Sequence, residues 1–452
     1  MKYWIVLLFT LWYGLSFSQK DSLFIRDIYT EALSNGECYD QLNHLCKKIG
    51  HRLAGSESAA HAMEWGKNTM LGYGFDSVYI QPVSVPQWQR GPKEECFYKL
   101  NGTEVQPVAV ALGGSVGSKD PIASKVIEVK SIQALKDLPD EAVRGKIVFF
   151  NKAMDPLLIN TGAAYGGAWD IRGHGPSEAS RKGAAACIIR SLTLADDAYA
   201  HTGSTSYDAD ITPIPAAALS SVDARALSKA LQQNPELELS LHLQCSLKER
   251  IIQGNVIGEL RGTEFPEKYI VVGGHLDSWD IGEGAHDDGT GVTQSIEVGR
   301  IFRALNYQPR HTLRVVLFMN EEFGNDGGET YADSAKVRSE EHIAAIESDG
   351  GGFTPQGFSL QGTDAHLAEL KEWARYFEPY QLFHFKSGWS GVDIGPLRSD
   401  STALYGLVVD SQRYFDFHHS NNDVFENVNK REHTLGAAAM ASLVYLIDQK
   451  KD

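Results

Sequence analysis

Thiols are scarce in this chain. Its 452 residues include five cysteines, Cys38, Cys46, Cys96, Cys187 and Cys245, scattered singly and with no CxxC pair. That pattern argues against a thiolate zinc site. Basic charge is also short: 42 Lys and Arg face 58 Asp and Glu, a formal net charge of -16. No nucleic-acid partner is expected, because phosphate backbones are bound by a Lys and Arg surplus. Long apolar runs are missing after the first residues, so no transmembrane segment is expected. Low-complexity tracts are missing too, and 42% hydrophobic with 22% charged residues is the balance of a folded globular protein.

What is present begins at the N-terminus. Met1-Lys2 supplies a positive start, an apolar run follows from Tyr3 to Trp12, and Ser16-Phe17-Ser18 offers a small-x-small cleavage site. Residues 1–18 read as a signal peptide, with a mature chain from about Gln19 that is secreted or periplasmic. No Cys follows the run, which argues against a lipid anchor. Asn101-Gly102-Thr103 is a glycosylation sequon that matters only in a eukaryotic source.

The length points to more than one domain. Residues 19–99 read as mostly helical, with a strand near 78–85. Residues 100–245 have another texture, with short β-like runs at 105–111, 125–129, 146–150 and 186–189 between Gly, Ser and Asp. From residue 246 onward, strand candidates (255–260, 269–272, 312–319, 343–347, 404–409) alternate with long helical patterns at 291–305 and 434–446. Such alternation predicts an α/β sheet with helices on both faces.

The side chains that carry chemistry cluster after those strands. His275 and Asp277 follow one strand, Glu321 and Glu322 another, Asp349 a third, and His418 and His419 a fourth. Asp287-Asp288 sits in the loop that opens the 291–305 helix. Loops beyond the carboxyl ends of strands in an open α/β sheet converge on one crevice. Singly, each of these residues reads equally well as a loop hydrogen-bonder or a helix cap. Taken together, that explanation needs several coincidences at one sheet edge.

Three motifs resemble peptidase family M28 in order and spacing. They are Gly274-His275-Leu276-Asp277-Ser278, Ala285-His286-Asp287-Asp288-Gly289-Thr290-Gly291 and Asn320-Glu321-Glu322-Phe323-Gly324. Glu347-Ser348-Asp349 and the stretch from His419 to Asp423 resemble its last two ligand motifs. Residues 49–56 resemble the family's N-terminal region, and residues 275–280 and 414–420 look closest to its carboxypeptidase Q-like branch. The resemblance implies an open mixed, mostly parallel sheet of the zinc peptidase fold. It also implies that residues 100–245 are an inserted β-rich protease-associated domain, expected to shape access to the site or supply a homodimer contact.

Carried over residue by residue, the resemblance implies two zinc ions per chain, one on His275 and Asp349, one on Glu322 and His419, with Asp287 bridging. It makes Glu321 the general base that takes a proton from the attacking water and passes it to the leaving amine. It makes Asp277 the partner that orients the His275 ring, and it implies a cis Asp287–Asp288 bond. His418 replaces the family's frequent Tyr, and either donates to the tetrahedral oxyanion or packs on Phe417. Gly391, in Ser390-Gly391-Val392-Asp393, falls where the family lines its substrate pocket, or else serves only a turn. The implied activity is exopeptidase cleavage of dipeptides or short peptides. A carboxypeptidase or dipeptidase would use a pocket cation, with Lys386 and Arg398 as candidates, and an aminopeptidase an extra acid. A receptor-like domain without catalysis and a one-zinc glutaminyl cyclase-like acyltransferase are the readings from other classes.

Overall fold

The computed structural model describes the backbone of residues 2–450 and the side chains of residues 19–450; the expected leader at 1–18 lies outside the residues described in full. Two eight-stranded sheets organise the chain. The central sheet runs in the order Ser77–Gln89, Ser246–Leu260, His311–Phe318, Phe265–His275, Glu341–Glu347, Ala403–Val409, Pro355–Gln361 and His384–Ser387. Four of its seven pairings are parallel, including the three that join the central strands His311–Phe318, Phe265–His275, Glu341–Glu347 and Ala403–Val409.

Those central strands are buried on both faces, which is why they read as apolar runs rather than alternations. Ile270, Val272, Val315, Leu317, Ala344 and Ile346 face one layer. It contains the helices Thr290–Ala304 and Lys430–Asp448, with the helix Lys2–Asn35 packed outside them through Ile25, Ile28, Tyr29 and Ala32. Val271, Val316, Phe318 and Ala345 face the other way, toward Tyr331 of the helix Asp326–Val337.

The edge strand Ser77–Gln89 carries Pro82 and Pro86, tolerated because an edge needs fewer ladder donors. Its pairing shifts register between Val85 and Gln87, around Pro86.

The second sheet draws on Glu94–Leu100 through Glu238–Leu243, and so begins a few residues before the expected boundary at 100. Its middle strands Ile122–Val129, Ile147–Phe150, Ala186–Arg190 and Ala216–Leu219 are parallel, with helices Gly175–Arg181 and Ser221–Gln233 packed on them. This unit is therefore an α/β layer rather than the β-rich one expected. The run expected as one strand at 105–111 is split by Pro107, which has no N–H to donate. Thr103–Val105 and Ala109–Ala111 lie at opposite edges of the sheet. All five cysteines are buried as free thiols. Among the described residues, no helix is long and apolar enough to cross a membrane.

Candidate metal centre

Register explains why distant motifs meet. In the parallel centre His275 stands opposite Phe318, and Gly273 opposite Glu347. The chain therefore leaves all three strands at one edge, carrying His275, Glu321 with Glu322, and Asp349. The neighbouring strand Ala403–Val409 leads from the same side through the turn Tyr414–Phe417 to His418 and His419.

Asp287 is the hub. Its Oδ1 lies 3.1 Å from His275 Nε2, and its Oδ2 lies 3.2 Å from His419 Nε2. Asp349 Oδ1 approaches the same His275 nitrogen at 3.5 Å, and Glu322 Oε2 approaches His419 Nε2 at 3.1 Å. The peptide bond between Asp287 and Asp288 is cis. Asp287 Oδ2, Glu322 Oε1 and Asp349 Oδ1 are buried and accept no hydrogen bond. Buried polar atoms are rarely left so. Imidazole and carboxylate donors converging with free lone pairs fit a borderline cation such as zinc.

His418 also comes near Asp287, with Nε2 3.8 Å from Oδ2, so that Asp287, His418 and His419 form one potential trio of ligands. Glu322 is the better third donor beside Asp287 and His419. It reaches His419 more closely and keeps an unpaired oxygen, whereas the His418 ring stacks on His419 at 3.5 Å and faces Tyr165 edge-on.

The electrostatics reflect this crowding. Burial alone would hold the His275 ring below its ordinary value, but Asp287 and Asp349 overcome it and raise the ring well above. Burial likewise opposes ionisation of Asp287, yet His275 and His419 keep it well below the usual carboxylate range. Burial, then the carboxylates of Asp349, Glu322 and Asp287, push Glu321 well above that range, with His275 opposing. The nitrogens that hold protons against these carboxylates are the atoms a divalent ion takes in exchange.

Asp277 is placed differently from expectation. The His275 Nδ1 bonds to the backbone carbonyl of Asp277 at 3.0 Å, with the carboxylate 3.8 Å away. That carboxylate instead accepts the backbone N–H groups of Asn320, Glu321 and Glu322 at 2.7 to 3.4 Å, fixing the loop that carries Glu321 and Glu322. Gly391 does not line the chamber beside the cluster. A Cβ there would overlap the Glu347 carboxyl group, which accepts from the N–H groups of Val392 and Ile394. Lys386 and Arg398, the candidate carboxylate binders, are exposed and lie outside the chamber wall.

Several supporting residues escaped the sequence reading. Arg52 is fully buried and donates to the carbonyls of Leu276, Glu283 and Gly284 at 2.7 to 2.8 Å, stitching the His275 loop to the Asp287 loop. Asp423 accepts from the N–H groups of His286 and Asp287. Trp279 packs on Phe323 and His419, while Arg90 holds Asp280 in a half-buried ion pair at 2.6 Å. From the loop between Ala186–Arg190 and Ala216–Leu219, the N–H of Thr202 donates to the His419 carbonyl and His201 Nδ1 to that of His418. A partly open chamber of about 670 Å³ lies over the cluster, lined among others by Tyr165, Trp169, Arg172, Glu321, Trp389 and Tyr414.

A model of peptidase family M28 matches residues 255–444. The chain is 31% identical to carboxypeptidase Q of Xenopus laevis over 424 residues, covering 94% of this chain and 88% of that protein. The chain belongs to peptidase family M28. Carboxypeptidase Q of Bos taurus is 30% identical over 410 residues, 90% of this chain and 84% of its own. A crystal structure of an M28 peptidase precursor from Shewanella amazonensis superposes with a TM-score of 0.91 at 30% identity, covering 96% of this chain and 98% of that one. A zinc aminopeptidase from Bacillus subtilis shares the fold, with a TM-score of 0.64 at 19% identity over 92% of this chain and 96% of its own. As a member of family M28 the chain is a metallopeptidase, and its cluster lies within the matched span.

Proposed function

We propose that this M28 chain is an exported two-zinc exopeptidase that hydrolyses dipeptides or short peptides, of carboxypeptidase or dipeptidase type. The observation that carries the reading is Asp287 standing between two imidazoles, with one carboxylate oxygen toward each. His275 and Asp349 would hold one ion, Glu322 and His419 the other, and Asp287 both. When bound, such a pair supplies Lewis-acid activation of water and of the scissile carbonyl. The remaining work falls to the protein. Glu321, in the chamber wall beside the ligands, takes the proton from water and returns it to the leaving amine. His418 faces the chamber and donates to the oxyanion. The second sheet's unit, read as a protease-associated-like domain, contributes Tyr165, Trp169 and Arg172 to the chamber wall, and a chamber of about 670 Å³ suits a short peptide.

Export rests on the leader-like residues 1–18. An aminopeptidase would use the same centre, and a glutaminyl cyclase-like acyltransferase would hold one zinc. A receptor-like domain would release no amino acid. Zinc content per chain, together with amino-acid release from unblocked dipeptides, separates these readings. The Glu321→Gln variant is expected to keep both ions while kcat falls by about 10²–10⁴. Full activity in a metal-replete Glu321→Gln protein would remove Glu321 as the base.

A further inference from the structure

One charged group in the chamber wall has no counter-ion. Arg172, in the turn Asp170–Gly173, is 4% exposed and is the one Lys or Arg among the described residues lining the chamber. Its contacts are the Thr202 carbonyl at 3.5 Å, His419 Nδ1 at 3.2 Å and the face of Tyr165, 5.3 Å from Cζ to the ring centre. None of these is a carboxylate, and its Nε has no hydrogen-bond partner. Room for the guanidinium is made by Gly203, where a Cβ would overlap it. A buried cation without an anion is costly to keep, which makes it a group built to receive one. The acids of the same wall are Asp287, Glu321, Glu322 and Asp349, all taken up by the centre, so none is left over for a substrate ammonium.

We propose that Arg172 binds the free terminal carboxylate of the substrate, so that the enzyme reads the C-terminus of a short peptide. This assignment rests on the exopeptidase reading above and chooses between its two termini. The planar fork of a guanidinium matches a carboxylate through two parallel N–H bonds, and the Tyr165 face holds that plane in place. Arg172 touches the ring of His419, so a carboxylate held on it lies beside the metal cluster, as removal of a single C-terminal residue requires.

The test compares an apolar dipeptide carrying a free amine and free carboxylate with its C-terminal amide, on zinc-loaded protein. For the wild type, kcat/KM is expected to be about 10- to 100-fold higher on the acid than on the amide. Arg172→Met should bring that ratio near one, mainly by raising KM for the acid, and Arg172→Lys should fall between. Because both substrates are read on one preparation, any loss of fold or metal scales both rates and leaves the ratio intact. A purely structural Arg172, serving only to steady His419, would leave the ratio at its wild-type value in Arg172→Met, and that result overturns the assignment. Equal cleavage of acid and amide by the wild type overturns it too, while leaving the exopeptidase reading standing. A zinc-loaded wild type that releases no amino acid from either substrate overturns both.

Discussion

At the scale of single residues, the decisive groups are those that hold loops in place without touching substrate. Arg52 spends its guanidinium on four backbone carbonyls, of Gly50, Leu276, Glu283 and Gly284, and its own N–H on Ser278 Oγ. In Arg52→Met the Leu276 and Glu283 carbonyls lose this donor, at about 1–3 kcal/mol each, while the Gly284 carbonyl keeps the Gly289 N–H. The variant is expected to unfold at markedly lower temperature, and to bind zinc more weakly in calorimetric titration, although Arg52 reaches no ligand atom. A thermal midpoint within a degree of wild type would show that water replaces the side chain at no cost.

The residues of the cluster, His275, Asp287, Glu322, Asp349 and His419, could be picked out in the sequence because each type is chemically distinctive and lies in a loop at one edge of the sheet. Arg52 and Arg172 could not. A lone Arg in a loop looks the same whether it ends in solvent or at zero exposure, and nothing in its neighbours announces which carbonyls the fold will bring to it. Asp277 was read as a partner of the His275 ring from its spacing of two. The backbone carbonyl of the same residue takes that role, and its carboxylate caps the 320–322 turn.

At the scale of elements, the link into the second sheet is tied to the loop after His275 by short, part-buried contacts. Arg90 bonds Asp280 through Nε and a terminal nitrogen, and it also reaches Glu94. A double-mutant cycle on Arg90→Met and Asp280→Asn is expected to give a coupling of about 1–3 kcal/mol, since both side chains are largely shielded. Additive effects would mean that the two sheets are held by other contacts.

Elements were easier to foresee than their partners. The central parallel strands were visible as apolar runs. The Asn101-Gly102 hairpin turn was passed over, although both residues take positive φ, 51° and 84°, as a two-residue turn of this kind requires. The pairing of Thr103–Val105 and Ala109–Ala111 with different edges depends on where the sheet curls back, which no local pattern encodes.

At the scale of the whole molecule, acidity and metal supply set stability. His342, bonded to Tyr331, is held at about 4 and His433, bonded to Thr293, at about 3, in both cases chiefly by burial. Both values lie below the ordinary 6.5, so between the two the unfolded chain binds more protons than the folded one. Their contribution is complete above about pH 6.5 and drains away as pH falls, by about 1.4 kcal/mol per pH unit for each group. Urea unfolding at pH 7 and pH 5 should therefore show a smaller loss in His342→Gln and His433→Gln than in wild type; equal losses would place these rings in contact with water.

Zinc acts on the same scale. Removal by a chelator leaves the Asp287, Glu322 and Asp349 carboxylates crowded together. Titrating zinc back should raise the thermal midpoint and saturate at two ions per chain. Saturation at one ion would favour the single-zinc alternative.

The edge strand Ser77–Gln89 pairs with Ser246–Leu260, setting Ser77 opposite Glu259. On a ribosome, the first of these strands emerges long before the second and must wait while the entire intervening layer is made. During that wait it is an open template for any passing extended chain. Pro82 and Pro86 interrupt its row of donors during that interval, so the same two residues that shape the finished edge also guard the nascent one against misassembly.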